Sequence, residues 1–419
     1  VATHCLLITH LTLYDLQQKN FGTYRRLSMI IDAIRATGRP LRIVCTIPPE
    51  QALEPLSAIS AEIEREVAEV WNIQATVIVT VCAAPSNTRW LFQQLLALFG
   101  YSNAPLMRSV FPPAAHALML DELAKAPAFI VAHRLPSMFV LSGLAKNLPP
   151  TFFDLDDVEH IIVMRAMSQF RLLRDKVFAV LSLPSVLLAE RRAIRKARLT
   201  FVCSDIDAGR IRRLFGARSV EVLPNSVAIP PLESPLPSRP IILMVGIYSY
   251  GPNADGADFL IAEIMPIIRS RIPGAELWLV GRSPEHIKSF ERQPEGVRFL
   301  GFVDDIDSIY REARVVACPI RFGSGTRVKL VEAAAWGKAI VSTTLGAEGL
   351  GMTHGTDILL EDRANTFAAA CIRLLQDDPL CELLAKNARA LAQSTFDRKE
   401  IVERLAARFS QALESTGTP

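Results

Sequence analysis

The sequence predicts an α/β protein built from two Rossmann-like parallel-sheet domains. Short apolar runs recur along the chain with helical periodicity between them, and one proline-rich stretch interrupts the pattern before it starts again. Continuous apolar strands alternating with helices are the mark of parallel sheets covered on both faces. At 419 residues the chain is also too long for one ordinary core.

In the first half the strand-like runs are 5–9, 41–45, 75–79, 128–131, 151–154, 199–203 and 220–223. Helical spacing fills the gaps, for example over 24–36 and 86–99. Residues 227–240 hold five prolines in fourteen positions and no periodicity, which describes a linker. Strand-like runs then return at 241–246, 275–281, 297–301, 315–319, 339–343 and 357–360. The predicted division is an N-terminal domain over 1–228, a linker over 229–240, a C-terminal domain over 241–395, and a last helix with a tail over 396–419. Two such domains about a hinge place a ligand in the cleft between them, at the carboxyl ends of strands.

Composition excludes several classes. With 50% apolar and 21% charged residues the chain is globular, and a net charge of +3 is too small to argue for nucleic acid. The seven cysteines (5, 45, 82, 203, 318, 371 and 381) are scattered and form no Cys-x-x-Cys pair, as expected of reduced thiols in a cytoplasm. The seven histidines are dispersed too, so no metal centre is expected. Apolar runs such as 177–188 are too short to span a bilayer, and a soluble protein is the expectation.

The most informative segment is 318–337, Cys-Pro-Ile-Arg-Phe-Gly-Ser-Gly-Thr-Arg-Val-Lys-Leu-Val-Glu-Ala-Ala-Ala-Trp-Gly. An apolar strand runs into a turn broken by Gly323, Ser324 and Gly325, and Thr326 and Arg327 lead into a helix carrying Lys329 and Glu332. Glycines let the backbone approach a ligand, and the free N–H groups of a first helical turn suit a phosphate. Lys329 adds a point charge. Glu332, three residues on and on roughly the same face, can accept hydrogen bonds from sugar hydroxyls. Together these describe a grip for a nucleoside diphosphate. The spacing fits neither the ATPase phosphate loop nor the dinucleotide fingerprint.

Four blocks make the second half resemble the nucleotide-sugar-binding domain of family 4-like retaining glycosyltransferases of the GT-B fold (glycosyl transferases group 1). They are Leu243-Met-Val-Gly246 with Gly251-Pro-Asn253, the run 276–282, the run 297–305, and the segment above continued through 339–349. The first half matches more loosely, through Gly22-Thr-Tyr-Arg-Arg26, His133-Arg134, Asp154-Leu-Asp-Asp-Val-Glu159 and Leu223-Pro-Asn-Ser226. The resemblance implies that the N-terminal half binds the acceptor and that a last helix, here 396–413, crosses back onto it. It implies that Glu332 binds the donor ribose, that Lys329 with Arg321 or Arg327 neutralises the diphosphate, and that Gly246 and Asn253 border the donor. Phe302 and Val303 then form the rim for the base, with Arg282 beside them. Many relatives carry a glutamate where this chain has Ser324, and an Arg/Lys pair where it has Tyr248, Tyr250 and Asn253.

The implied donor is a UDP- or GDP-linked sugar and the implied acceptor a saccharide or lipid-linked saccharide, in the line of cell-envelope polysaccharide synthesis. No cofactor or metal is required, since the helix terminus and the lysine supply the cationic charge. For the acceptor proton the side-chain candidates are Asp154, Asp156 and His133; Gly22, Arg25, Arg26 and Arg134 are the acceptor-side candidates. A nucleotide-sugar epimerase of the same architecture and a catalytically silent binding subunit are the rival readings. The basic run 191–198 lacks interleaved aromatics, which speaks against nucleic acid; it suits a solvated helix face or peripheral contact with the anionic inner face of a membrane.

Overall fold

A computed structural model describes residues 4–9, 22–47, 52, 54–81, 113–141, 144, 148–167, 172–231, 236–323 and 325–414. The predicted helix over 86–99, part of the linker and Ser324 lie outside these residues. The chain forms two compact units, one holding the described residues up to Pro224 together with those from Glu400 onward, the other Asn225–Lys399.

Unit 1 runs β1 (Cys5–Thr9), α1 (Gly22–Ala36), β2 (Leu41–Ile47), α2 (Leu56–Trp71), β3 (Ala75–Val81), α3 (Pro113–Ala124), β4 (Phe129–His133), α4 (Leu135–Phe139), β5 (Thr151–Asp156), α5 (Glu159–Ala166), α6 (Leu173–Lys196), β6 (Leu199–Val202), α7 (Asp205–Phe215) and β7 (Val220–Val222). Its sheet is parallel in the order β3-β2-β1-β4-β5-β6-β7, so the strand order reverses between β1 and β4. Both faces are covered. Along β1, Cys5 and Leu7 enter one apolar cluster while Leu6 and Ile8 enter the other, as a period of two requires.

Unit 2 runs β8 (Ile241–Val245), α8 (Gly251–Phe259), one π turn (Leu260–Ile264), α9 (Met265–Arg271), β9 (Glu276–Val280), β10 (Val297–Gly301), α10 (Ile306–Glu312), β11 (Val315–Cys318), α11 (Val328–Ala335), β12 (Ala339–Ser342), β13 (Leu359–Leu360), α12 (Ala364–Gln376) and α13 (Asp378–Phe396). Its parallel order is β10-β9-β8-β11-β12-β13, and the reversal falls between β8 and β11.

The thirteen predicted strands are all present, and both sheets are parallel throughout. The last helix, α14 (Arg398–Glu414), sends Ile401, Leu405, Phe409 and Ala412 into the core of unit 1. There the Phe409 ring stacks on Phe129 at 4.9 Å and meets Phe152 edge-on at 4.8 Å. The chain returns to unit 1 because this helix carries its own apolar stripe, which only that sheet face buries.

Candidate functional site

In unit 2 the predicted segment lies at the carboxyl ends of strands, on the two sides of the β8/β11 reversal, where open α/β sheets bind ligands. Gly323 and Gly325 take φ of +104° and +80°, which residues with a Cβ rarely adopt. A Cβ on Gly323 would also lie 3.0 Å from the Tyr250 hydroxyl and 3.1 Å from Pro252. Arg327 is buried and turns its guanidinium onto the Gly325 carbonyl, closing the loop. Thr326 accepts a hydrogen bond at 2.8 Å from the amide of Asn225, part of the Pro-Asn pair noted in the sequence. Among the described residues no side chain caps α11, so its first-turn N–H groups, apart from that of Leu330, which donates to the Arg327 carbonyl at 2.9 Å, have no side-chain acceptor at this end.

Lys329 on that first turn is half-buried, and its ammonium donates to Asn253 Oδ1 at 2.7 Å. The Asn253 amide donates in turn to the Ile247 carbonyl at 2.8 Å, fixing the acceptor oxygen toward the lysine. Loss of hydration lowers the Lys329 pKa, which nearby Cys318 and Glu332 partly offset while Arg327 adds to the lowering. An ammonium with one neutral partner and a depressed pKa gains from an added anion. Gly246 makes the approach feasible, because a Cβ there would stand 3.1 Å from Lys329 Nζ and 3.0 Å from Asn253 Nδ2.

The rim is built by packing. Past the ends of β9 and β10 the Arg282 guanidinium lies 4.5 Å over the half-exposed Phe302 ring, and Val303 packs against the core. Gly281 was not anticipated, yet its φ is +137° and a Cβ there would fall 1.7 Å from the Gly246 carbonyl oxygen. Glu332 sits on α11 one turn beyond the N-terminus, half-buried.

One expectation for this unit changes. Arg321 is committed elsewhere: it pairs with Asp255 through bonds of 2.9 and 2.8 Å and lies over Phe259, so it does not join Lys329. Tyr248, which stands where relatives carry a charge, is buried with its hydroxyl donating to the Met244 carbonyl at 3.2 Å. It completes the core rather than the site.

Unit 1 gathers its predicted residues at the β1/β4 reversal. Asp154, fully buried, accepts from Arg26 Nε at 3.0 and 2.9 Å and from His133 Nδ1 at 2.8 Å. Arg26 Nη1 also donates to the Leu223 carbonyl at 2.9 Å. Arg26 and His133 hold the Asp154 carboxyl well below the usual carboxylate range, against the burial that opposes ionisation. This corrects two expectations. Asp154 has no free oxygen for an acceptor proton and positions His133 instead, and Arg26 is an internal counter-ion rather than an acceptor-facing group. Arg25 is half-buried on α1, which Gly22 opens.

Since an ionised Asp154 only accepts, His133 Nδ1 is the donor and Nε2 is the working atom. Among the described residues His133 Nε2 is buried without a hydrogen-bond partner, as is Thr9 Oγ1 at the end of the neighbouring strand. Thr9 was missed, because only strand order brings residue 9 beside residue 133. Asp156 (φ +55°) and Arg134 (φ +67°) both hold left-handed backbone conformations at strand ends, a strain that clusters at functional sites. Arg134 lies 3.7 Å from Asp156 and 3.4 Å from Asp157. Beside them, burial pushes the Glu159 carboxyl up to about 7.

Two parallel α/β units, each with polar groups at its strand-order reversal, define the GT-B architecture. Residues 239–377 match the family model described as Glycosyl transferases group 1, so that stretch of the C-terminal unit is similar to the domain of that family. A phosphatidyl-myo-inositol mannosyltransferase from Mycolicibacterium smegmatis is 33% identical over 178 residues, covering 40% of this chain and 45% of that protein. The chain spans less than half the length of the curated relatives it matches. Among solved structures, sucrose-phosphate synthase from Thermosynechococcus elongatus aligns with a TM-score of 0.69 at 16% identity, over 98% of this chain and 100% of that one. HepE from Anabaena in complex with UDP aligns with a TM-score of 0.64 at 16% identity, over 98% and 100%. At such identities the likeness speaks to the fold.

Proposed function

We propose that the chain is a retaining glycosyltransferase that moves a sugar from a nucleoside diphosphate donor to a saccharide or lipid-linked acceptor, without a metal. The observation that carries this reading is the ammonium of Lys329, aimed by Asn253 beside an uncapped helix start at the strand-order reversal. Support comes from the family match of the same segment, from the mannosyltransferase similar to it, and from proteins of like fold solved with UDP or UDP-glucose.

In this reading the diphosphate meets the N–H groups of α11 and Lys329, the ribose meets Glu332, and the base lies against Phe302 and Arg282. Cleavage of the bond between the sugar carbon and the phosphate oxygen leaves positive charge on the carbon and negative charge on the diphosphate. The helix terminus and Lys329 stabilise the latter. The acceptor oxygen bonds to the same face of that carbon, and its proton passes to the departing phosphate oxygen. His133 Nε2 is the group in unit 1 suited to hold a sugar hydroxyl.

Lys329→Ala and Glu332→Ala each lower kcat/KM at least tenfold, about 1.4 kcal/mol, while the fold stays intact. A thermal-shift screen against UDP, GDP, ADP, CMP and their sugars identifies the donor first. Near-normal turnover of both variants on that donor overturns the assignment.

A further inference from the structure

Helix α6, 24 residues long, has an inverted face. Its inward stripe is made of small residues, Ala179, Ser182, Val186, Ala189 and Ala193, all buried. The stripe on the opposite side steps by three or four through Leu173, Val177, Val180, Pro184 and Leu188, then Arg191 and Arg195. Leu173 is 76% exposed, Val177 48% and Val180 56%, and Leu181 at 49% flanks them. Seven of the fourteen exposed large apolar side chains among the described residues fall between Met164 and Leu181, so the exposure is concentrated, not scattered. Patches of this kind on a soluble surface mark a binding face.

The charge on the same stripe selects the partner. Arg191 and Arg195 are exposed and make no ion pair among the described residues. The two acidic residues of the helix are otherwise engaged, Asp175 lying 3.4 Å from Arg174 and Glu190 being buried against His160. The outward face is therefore apolar along its first half, cationic along its second, and offers no free carboxylate. We infer that α6 lies in the headgroup plane of an anionic lipid bilayer, its apolar half entering the acyl boundary and Arg191 and Arg195 meeting lipid phosphates. Among the described residues no helix is long and apolar enough to cross a membrane, so the contact lies on the surface.

The test is flotation of the full chain with vesicles of phosphatidylcholine, with and without about 30% phosphatidylglycerol. The chain partitions onto the anionic vesicles, and neutral vesicles bind at least about tenfold less. A Leu173→Ser/Val177→Ser variant and an Arg191→Glu/Arg195→Glu variant each lose at least about tenfold, and only the arginine pair removes the salt dependence. All these positions are exposed, so circular dichroism and melting temperature match the parent. Wild-type chain that stays with the lipid-free fraction, or variants that float as well as the parent, overturn the inference. So does a dimer, seen by light scattering, that the Leu173/Val177 variant dissociates without any vesicle binding, since that gives the face to a second copy. Nothing in this test depends on transferase activity.

Discussion

The pairing of Arg26 with Asp154 separates a structural carboxylate from a catalytic one. Arg26 is 1% exposed and Asp154 is fully buried, and the guanidinium directs both Nε and Nη2 at that carboxylate. In Asp154→Ala the guanidinium loses this carboxylate and keeps the Leu223 carbonyl at 2.9 Å and the more distant Asp156 at 3.4 Å. An uncompensated buried charge of this kind costs about 3–5 kcal/mol. Asp154→Asn keeps the shape and one acceptor and loses the charge, for about 1.5–3 kcal/mol. Replacing both partners, Arg26→Met with Asp154→Leu, returns stability to within about 1 kcal/mol of the parent, because no charge is left buried. Native-state hydrogen exchange of the β1 and β4 amides reads these differences in unit 1 alone. The pH dependence has a definite sign. The folded pKa of Asp154 lies below its unfolded value, so the unfolded chain binds more protons in acid. The contribution is complete above about pH 4 and is lost as the pH falls further. Unchanged exchange in Asp154→Asn together with lost turnover would refute the reasoning and return Asp154 to the role of proton acceptor.

Gly281→Ala places a Cβ 1.7 Å from the Gly246 carbonyl, and backbone must move, whereas a Cβ on Gly274 meets nothing within 4 Å. Gly281→Ala therefore lowers the stability of unit 2 by at least about 3 kcal/mol and abolishes nucleotide binding, while Gly274→Ala stays within about 0.5 kcal/mol; equal melting temperatures for the two count against the site geometry. Burial raises the Glu159 carboxyl from 4.5 to about 7, so the folded chain binds the extra proton between those values and stability falls as pH rises through them. Glu159→Gln gains about 1–3 kcal/mol at pH 8 and nothing at pH 4 in urea titrations, and parallel pH profiles for variant and parent remove that account.

What the sequence disclosed depended on how far apart the cooperating residues lie. Most strands were legible because they are continuous apolar runs largely buried on both faces, and such runs need no partner to be recognised; β10, with no buried residue, was read from its apolar run alone. The segment proposed to hold the diphosphate was legible because Gly323, Gly325, Lys329 and Glu332 share one turn and one helix, whose geometry follows from local spacing. Arg321 sits in the same stretch and misled, because its fate is set by Asp255, sixty-six positions away on α8. Gly281 could not be singled out from a local pattern, since the oxygen that excludes its Cβ belongs to Gly246, just past the end of the neighbouring strand. The unit 1 cluster spans longer intervals still, with Arg26 and Asp154 separated by 128 positions and Thr9 beside His133 only through the pairing of β1 with β4. The outward face of α6 shows a different limit. Val177 to Leu188 looked like a run too short for a bilayer, which is true of a span. Periodicity reports that a helix has an apolar stripe; it does not report which stripe the core takes. Here the core took mainly the alanines and serines, with Val186 and Ile194, and left Leu173, Val177, Val180 and Leu181 outside.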